Sequence, residues 1–383
     1  MINPSEFYNQ LLDQDIGFFT GVPDSLLKGF CSVLSERTTS QNHVTAPNEG
    51  AAIGIAIGHY AATGKIPLVY MQNSGIGNAI NPLISLADPQ VMATPILMLI
   101  GWRGEMAENG QQIKDEPQHV KQGQITPELL KVLDIPFEII DSNSHSGDTI
   151  TKLKQVALDR NSPTAIIVRR DTFVSVENSD KNQTEPALLR ESALRKVIKS
   201  IDMNAAIVST TGMLSRELYE LRVLAGQPQT DLLTVGGMGH AISIAIGVAC
   251  AKPEKQIFCL DGDGAVLMHM GALSISAKLN NLTHIVFNNK SHDSVGGQPT
   301  CAPDASLSQI AKSLGYVNVL TVLGSEDIET ALRSGHDLIG STFIEIMCDR
   351  GNRADLGRPV NSPKENFNSF QLSLKNGDHN GQA

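Results

Sequence analysis

Two groups of polar residues in the second half of the chain follow apolar stretches typical of buried strands. Asp263 comes shortly after QIFCL (256–260), and Asn288-Asn289 ends the next stretch, HIVF (284–287). In an open parallel sheet, the loops at the carboxyl ends of neighbouring strands line the same crevice. Carboxylate and amide oxygens suit Mg²⁺, which takes oxygen ligands drawn partly from phosphates and water. The pattern therefore predicts a site for a magnesium-bound phosphate at one sheet edge.

Glycines and a helix next to Asp263 support the same chemistry. Gly262 and Gly264 let the backbone approach a phosphate closely, and the following predicted helix, LMHMGALSISAKL (267–279), directs its N-terminus towards that anion. Ala265, between this loop and the helix, is a further candidate for cofactor binding. A GDG tripeptide alone is more often a turn. GDG followed by an apolar helix and a strand that ends in Asn-Asn is far more specific, and it indicates a metal-diphosphate anchor.

An internal repeat indicates which elements position these residues. GAAIGIAIG (50–58) and GHAISIAIG (239–247) agree at seven of nine positions, and the same offset of 189 aligns KIPLVYMQNSG (65–75) with EKQIFCLDGDG (254–264). Each copy is typical of a small-residue helix, a short turn, a buried parallel strand and a Gly-rich loop. We predict an α/β protein of two similar doubly wound parallel-sheet domains, 1–180 and 191–375, with a polar linker (181–190) and no middle domain.

The spacing GDG-x23-NN resembles the cofactor signature of the thiamine diphosphate (ThDP)-dependent enzymes. The resemblance implies ThDP and Mg²⁺ as cofactors and two domains of the ThDP-binding fold. The first would bind the pyrimidine ring and the second the diphosphate. It also implies the metal ligands, which are Asp263, Asn289 and the backbone carbonyl of Ser291.

The first repeat resembles the pyrimidine-binding helix of the same family. Glu49, at the start of NEGAAIGIAIGHYAATGK, matches the glutamate that hydrogen-bonds N1′ of the aminopyrimidine, and Gly75 lies in QNSGIGNAIN, which resembles the following loop. Met238, aligned with Glu49 by the repeat, matches the apolar side chain that holds the cofactor bent. The remaining cofactor contacts that the resemblance implies are Thr210, Thr211, Gly212 and Gly237.

The segments GVPDSLLKGF, GWRGE, DEPQHVKQG and SHDSVGGQPT resemble those of ThDP-dependent decarboxylases of anionic 2-keto acids. The form of SHDSVGGQPT favours a phosphonate as the second anionic group of the substrate, with a sulfonate as the alternative. Asp24, His119 and His292 are candidates for proton transfer and orientation. Either anion requires a cationic clamp, for which Arg and Lys are suited. The weaker substrate-binding candidates are Ser25, Arg103, Lys121, Lys290, Arg353 and Arg358.

The composition of the chain limits the kinds of partner that we expect it to bind. A net charge of −10 without a Lys/Arg block disfavours nucleic acid, and the longest uncharged apolar stretch (241–251) is too short to cross a bilayer. The five cysteines have no metal-ligand spacing, and the N-terminus lacks the features of a signal peptide. We expect a cytoplasmic enzyme with a small-molecule substrate. The family resemblance further implies a homo-oligomer with active sites at subunit interfaces.

Two alternatives come from other classes of protein. QNSGIGNAIN superficially fits the dinucleotide pattern GxGxxG of a nicotinamide-dependent dehydrogenase, but Ile80 replaces the third glycine. A catalytically silent ThDP-fold subunit that needs a partner chain is the other alternative. The presence of both halves in one polypeptide argues against it.

Overall fold

The structure is a computed structural model that describes residues 1–107, 109–174, 188–301, 306–337 and 339–376. The chain forms two compact units, Met1–Lys181 and Asn182–Ala383. Each unit contains a six-stranded, all-parallel sheet with helices packed on both faces. Among the described residues, the helices are all too short or too polar to cross a membrane.

The sheet of the first unit has the strand order β2-β1-β3-β4-β6-β5. A 3₁₀ turn (Asn73–Gly75) and a π turn (Leu83–Ala87) flank the fourth helix. The strands and helices in chain order are α1 (Pro4–Asp13), β1 (Phe19–Gly21), α2 (Lys28–Arg37), β2 (His43–Thr45), α3 (Glu49–Thr63), β3 (Leu68–Gln72), α4 (Ile76–Pro82), β4 (Leu97–Gly101), α5 (Pro117–Val132), β5 (Phe137–Ile140), α6 (Ser146–Arg160) and β6 (Thr164–Val168).

The sheet of the second unit has the order β13-β14-β10-β9-β7-β8, and β11 and β12 form a separate antiparallel hairpin. The strands and helices in chain order are α7 (Arg190–Ser200), β7 (Ala206–Ser209), α8 (Met213–Leu224), β8 (Leu232–Leu233), α9 (Ala241–Ala251), β9 (Ile257–Gly262), α10 (Asp263–Met268), α11 (Leu273–Ser276), β10 (Leu282–Asn288), β11 (Ser291–His292), β12 (Gln298–Pro299), α12 (Leu307–Ser313), β13 (Asn318–Val322), α13 (Asp327–Asp337), β14 (Thr342–Met347) and α14 (Pro363–Asn376).

The two sheets have the same topology. When the main strands of each unit are counted from one to six, both follow the order 2-1-3-4-6-5. The sequence repeat falls on equivalent elements, because α3 and β3 of the first unit align with α9 and β9 of the second. The predicted fold class of two similar doubly wound domains is therefore confirmed.

The continuous apolar runs in the sequence form the central strands. All seven residues of β10 and all five of β4 are buried, as expected for parallel strands covered by helices on both faces. In the first unit, one apolar layer joins α1, α2 and α6 to the sheet, and a second joins α3, α4 and α5 to the opposite face. The polar ends of the strands lie outside these layers.

Two boundaries differ from those predicted from the sequence: the start of one crossover helix and the end of the linker. The crossover helix predicted between β9 and β10 begins at Asp263 itself, and it is interrupted at His269, after which a 3₁₀ turn leads into α11. Most of the predicted linker lies outside the described residues, and its last residue, Arg190, begins α7. Because β6 ends at Val168, the chain between the two units is too short for a middle domain.

Candidate active site

The carboxyl ends of β9 and β10 bring the predicted metal ligands together. The two strands are parallel neighbours, with Phe287 beside Gly262, so that Asp263 and Asn289 emerge at the same edge. Both side chains are buried, with 2% and 7% of their surface exposed. The backbone N–H of Asn289 donates a hydrogen bond to the Asp263 carboxylate.

The Asp263 carboxylate is buried without a compensating cation. Its Oδ2 accepts a hydrogen bond from Thr300 Oγ1 at 2.6 Å. Burial raises the pKa of Asp263 to about 6, against the lowering effect of the hydrogen bonds from Thr300 and the backbone. Within the described part of the chain, no Lys, Arg or His forms an ion pair with it. A bound cation would relieve the cost of this burial.

The two adjacent asparagines have different environments. Asn288 Nδ2 donates to Glu345 Oε1 at 2.8 Å, inside the core, whereas Asn289 Nδ2 donates to Asp293 Oδ2 at 2.7 Å. Asn289 Oδ1 accepts from the backbone N–H of Ser291 at 3.1 Å. The carboxylate of Asp263, the carboxamide of Asn289 and the carbonyl of Ser291 are all hard oxygen donors, as Mg²⁺ requires.

A second loop lies at the end of β7, next to β9. The backbone N–H of Thr210 donates to Leu260 O at 2.8 Å, which ties this loop to the strand that precedes Gly262. Thr210 Oγ1 is buried without a partner in the described residues, and Thr211 is half-buried. Gly212 has a φ of +100° at the start of α8. The structure thus places Thr210–Gly212 and the 262–265 loop at one sheet edge.

His292 and Met238 belong to the same unit, His292 in β11 and Met238 in a loop. A Cβ atom on Gly264 would come within 3.0 Å of His292 Cε1, so the glycine allows the imidazole to lie against the start of α10. Burial lowers the pKa of His292 to about 4, so the ring is neutral near pH 7. Met238 is half-buried in the loop between β8 and α9, and its neighbour Gly237 has a φ of +62°.

Glu49 occupies a restricted position in the first unit. It is the first residue of α3, only 5% exposed, and its Oε2 accepts a hydrogen bond from Asn78 Nδ2 at 2.8 Å. A Cβ atom on Gly75 would lie 2.3 Å from Glu49 Oε1, so any other residue at 75 would displace the carboxylate. The helix start, Asn78 and Gly75 together fix the direction of this acid.

Asp24 follows β1 and is fully buried. Its Oδ1 accepts from the backbone N–H of Leu26 at 3.0 Å, and its Oδ2 has no partner in the described residues. Burial raises the pKa of Asp24 to about 6, despite the opposing effects of the Leu26 N–H and the positive charge of Arg103. The carboxyl group can therefore carry a proton close to neutral pH.

Arg103 follows β4 and connects the residues of the first unit. It donates from Nε to Asp115 Oδ2 at 2.8 Å and from Nη1 to Ser25 Oγ at 3.1 Å. Burial alone would raise the pKa of Asp115, but the hydrogen bonds from Arg103 and Gly104 N–H lower it to about 2. Burial, with the charge of Arg103, lowers the pKa of His119 to about 4. The side chain of Arg103 thus contacts Ser25, and its positive charge affects the pKa values of both Asp24 and His119.

Other predicted residues are not gathered in this way. Lys121 is exposed on α5, and Arg358 is exposed after β14. Arg353 pairs with Glu191 at 2.9 Å, as well as with Glu220 and Asp355. Lys290 lies at the turn between β10 and β11 with a φ of +55°.

Four residues that hold the predicted side chains were missed by sequence reasoning. Their types are ordinary for polar loops, and each partner is distant in sequence or lies across a turn. The spacing of GDG and NN carries no signal for them. They are Asn78 (with Glu49), Asp115 (with Arg103), Asp293 (with Asn289) and Thr300 (with Asp263).

Comparison with known proteins identifies both units. Residues 6–126 match the N-terminal TPP binding domain of thiamine pyrophosphate enzymes, and residues 210–346 match their C-terminal TPP binding domain. Thiamine pyrophosphate is another name for ThDP. The class of protein defined by the fold and the site is therefore a ThDP enzyme that carries both domains in one chain.

Relatives that match nearly the whole chain show to which family within this class it belongs. The chain is 30% identical to a phosphonopyruvate decarboxylase of Streptomyces hygroscopicus and 31% identical to one of Streptomyces viridochromogenes, in each case over 97% of this chain and 94% of the relative. It is 26% identical to a sulfopyruvate decarboxylase of Methanosarcina acetivorans over 98% of both chains. The chain belongs to the phosphonopyruvate decarboxylase family of ThDP enzymes, and it is a ThDP-dependent carboxy-lyase.

The buried Asp24 leads to a pH prediction for Asp24→Asn. In the folded protein Asp24 holds a proton up to about pH 6, whereas in the unfolded chain it releases one near pH 4. The stability contributed by the protonated acid is thus present at pH 4 and is lost as the pH rises to 6. Asp24→Asn removes this loss, so the unfolding free energy of the variant relative to wild type should increase by about 3 kcal/mol between pH 4 and pH 7. Urea unfolding at several pH values measures it, and a pH-independent difference would contradict the assigned burial effect.

Proposed function

We propose that this enzyme decarboxylates 3-phosphonopyruvate to phosphonoacetaldehyde and CO₂, with ThDP and Mg²⁺ as cofactors, in phosphonate biosynthesis. The observation that carries the proposal is the similarity to two phosphonopyruvate decarboxylases over 97% of the chain. The arrangement of the two sites supports the same reaction. We further propose that the enzyme acts in the cytoplasm.

The residues of the second unit fit a magnesium-bound diphosphate. Asp263, Asn289 and the carbonyl of Ser291 would hold the metal, because Asp263 and Asn289 lie at one sheet edge and the buried carboxylate has no cation beside it among the described residues. The hydroxyl of Thr210, which has no partner among the described residues, and the loop that includes Gly212 would bind the diphosphate oxygens. The metal-binding carboxylate is held ready by Thr300, so little reorganisation is needed on binding.

The residues of the first unit would activate the cofactor. When bound, ThDP supplies the electron sink that a 2-keto acid needs in order to lose CO₂. Glu49 would exchange a proton with N1′ of the aminopyrimidine. Its hydrogen bond to Asn78 and its contact with Gly75 fix the carboxylate for this exchange. Met238 would support the ring of the cofactor.

Arg103 and the residues near it would bind the anionic substrate and transfer protons. A guanidinium has five N–H groups, of which three are used by Asp115 and Ser25 in the described structure, so two remain for an anion. Asp24, with its raised pKa of about 6, could supply a proton near neutral pH. His119 is kept neutral by its lowered pKa and could accept one. His292 would act similarly beside Gly264.

We also propose a homo-oligomer in which one cofactor is shared between the two kinds of domain. Among the described residues, the apolar helices α3 and α9 each leave part of their surface uncovered by the other elements of their own unit. A Cβ atom on Gly54, Gly58 or Gly247 would meet nothing within 4 Å, and Ile244 is 38% exposed. Helices this apolar are normally covered, and a second copy of the chain is the available cover.

A panel of 2-keto acids tests the reaction. Enzyme stripped with a chelator should be inactive and should recover only when both ThDP and Mg²⁺ are returned. With both present, kcat/KM for 3-phosphonopyruvate should exceed that for 3-sulfopyruvate by at least about tenfold, since the site would be adapted to the phosphonate. Aldehyde-coupled assays measure both. Recovery without ThDP would refute the proposal. A preference for sulfopyruvate would instead establish the second candidate, which the Methanosarcina relative supports.

Glu49→Gln tests the activating acid. Gln can still accept the hydrogen bond from Asn78, but it cannot exchange a proton, so kcat should fall at least about 100-fold while ThDP binding is only weakened. Steady-state kinetics and calorimetric titration with ThDP separate the two effects. Glu105→Gln is a matched control, because Glu105 is a second buried glutamate of the same unit. Near-normal turnover by Glu49→Gln would refute the assigned role.

The oligomer is tested by sedimentation velocity at micromolar protein with activity measured on the same sample. We expect a dimer or a larger assembly. Ile244→Glu, which places a charge on the uncovered surface of α9, should shift the protein towards monomer and lower its activity together, because burying an unpaired carboxylate is unfavourable. A fully active monomer would contradict the shared site.

A further inference from the structure

A buried ionic network lies behind the predicted metal ligand Asn289. Arg190, the first residue of α7, forms two hydrogen bonds with Glu217 of α8, each at 2.9 Å. Its Nη1 also donates to Asp293 Oδ2 at 3.1 Å. The three side chains are 8%, 1% and 7% exposed. None of the three is among the site residues predicted from the sequence.

Three donors converge on a single oxygen of Asp293. Besides Arg190 Nη1, Oδ2 accepts a hydrogen bond from Asn289 Nδ2 at 2.7 Å and from the backbone N–H of Gly351 at 3.2 Å. The donors come from α7, from the end of β10 and from the segment after β14. The carboxylate position is therefore determined by three separate parts of the second unit.

This arrangement selects one orientation of the Asn289 amide. With Nδ2 on Asp293, Oδ1 accepts the hydrogen bond from the backbone N–H of Ser291. A rotation of the amide by 180° would place two acceptors, Asn289 Oδ1 and Asp293 Oδ2, against each other, and two donors, Nδ2 and Ser291 N–H, likewise. Both hydrogen bonds would be lost, so the rotated form is strongly disfavoured.

Stability is a weak explanation for such a network. Burial raises the pKa of Glu217 even though Arg190 is hydrogen-bonded to it, whereas the two carboxylates raise the pKa of Arg190 against the effect of burial, so the pair is only partly compensated for desolvation. Buried ion pairs often contribute little compared with well-packed apolar residues. Groups behind a metal ligand, in contrast, commonly set its orientation, and their loss lowers metal affinity.

We propose that Asp293, held by Arg190 and Glu217, is a positioning residue that turns the carboxamide oxygen of Asn289 towards the cation. The inference rests on the proposed Mg²⁺–ThDP function. It assigns the role to the acceptor oxygen of Asp293 and not to its charge. All three donors use Oδ2, so an asparagine at 293 can keep every one of these contacts with its own carboxamide oxygen.

The test is the Mg²⁺ dependence of ThDP binding to the full-length apo-enzyme, measured by isothermal titration calorimetry. Asp293→Ala should raise the Mg²⁺ concentration for half-maximal binding by about 10- to 100-fold, whereas Asp293→Asn should stay within about threefold of wild type. At saturating Mg²⁺, kcat of Asp293→Ala should recover to within about threefold of wild type, since no reacting group is removed. Asp231→Ala is the matched control, because Asp231 pairs with Arg222 at similar burial. It should lower thermal stability without changing the Mg²⁺ requirement.

If Asp293→Ala does not fold, the Mg²⁺ affinity of Asn289→Asp provides a second test. This variant keeps an oxygen ligand and adds negative charge, so a purely electrostatic site would bind Mg²⁺ more tightly. The positioning role predicts weaker binding, because two carboxylates would face each other at the Asp293 contact.

Three results would overturn the inference. They are an unchanged Mg²⁺ requirement in Asp293→Ala, an equal loss in Asp293→Asn, and tighter Mg²⁺ binding by Asn289→Asp. Binding of ThDP to wild-type enzyme without any need for Mg²⁺ would be a different failure, because it refutes the proposed cofactor function itself.

Discussion

The burial of the Asp263 carboxylate is the constraint on which the second unit depends. A carboxylate with 2% of its surface exposed is unfavourable unless it is hydrogen-bonded, protonated or paired with a cation. Thr300 and the backbone N–H groups satisfy it in part, and its pKa of about 6 shows that the compensation is incomplete. The parallel pairing of β9 and β10 brings the amide of Asn289 to the same place. A pairing shifted by one residue would separate the two ligands and turn one of them into the core.

The first unit uses the same sheet edge for different chemistry. The segments that follow its parallel strands hold Glu49, Asp24 and Arg103, which are side chains suited to proton exchange and anion binding. Their surroundings are correspondingly different, because Glu49 is confined by Gly75 and Arg103 is neutralised by Asp115. One topology is thus present twice, with different polar side chains at the carboxyl ends of its strands in each unit. The repeat in the sequence reflects the shared topology, and the residues that differ between the two copies are those with different proposed chemical roles.

Residues that touch no ligand account for much of the geometry. Asn288 and Asn289 are adjacent in sequence, yet the strand sends one into the core towards Glu345 and leaves the other at the edge. The direction of the second amide depends on Asp293, which in turn depends on Arg190 and Glu217. Arg190 stands about one hundred residues before Asp293 in the chain. A local pattern contains no information about such a contact.

The sequence by itself determined the two-domain α/β architecture, the family and the main ligand candidates, because these depend on local periodicity, on glycine spacing and on a repeat. It placed Asp263, Asn289 and Glu49 at the ends of their elements, where the structure has them. Only the tertiary structure decided which side chains the charged residues pair with, such as Arg353 with Glu191 and Arg103 with Asp115. It also decided the pKa values of Asp24 and His119. Burial and pairing are set by residues that are distant in the chain, and they exist only after the sheets have formed.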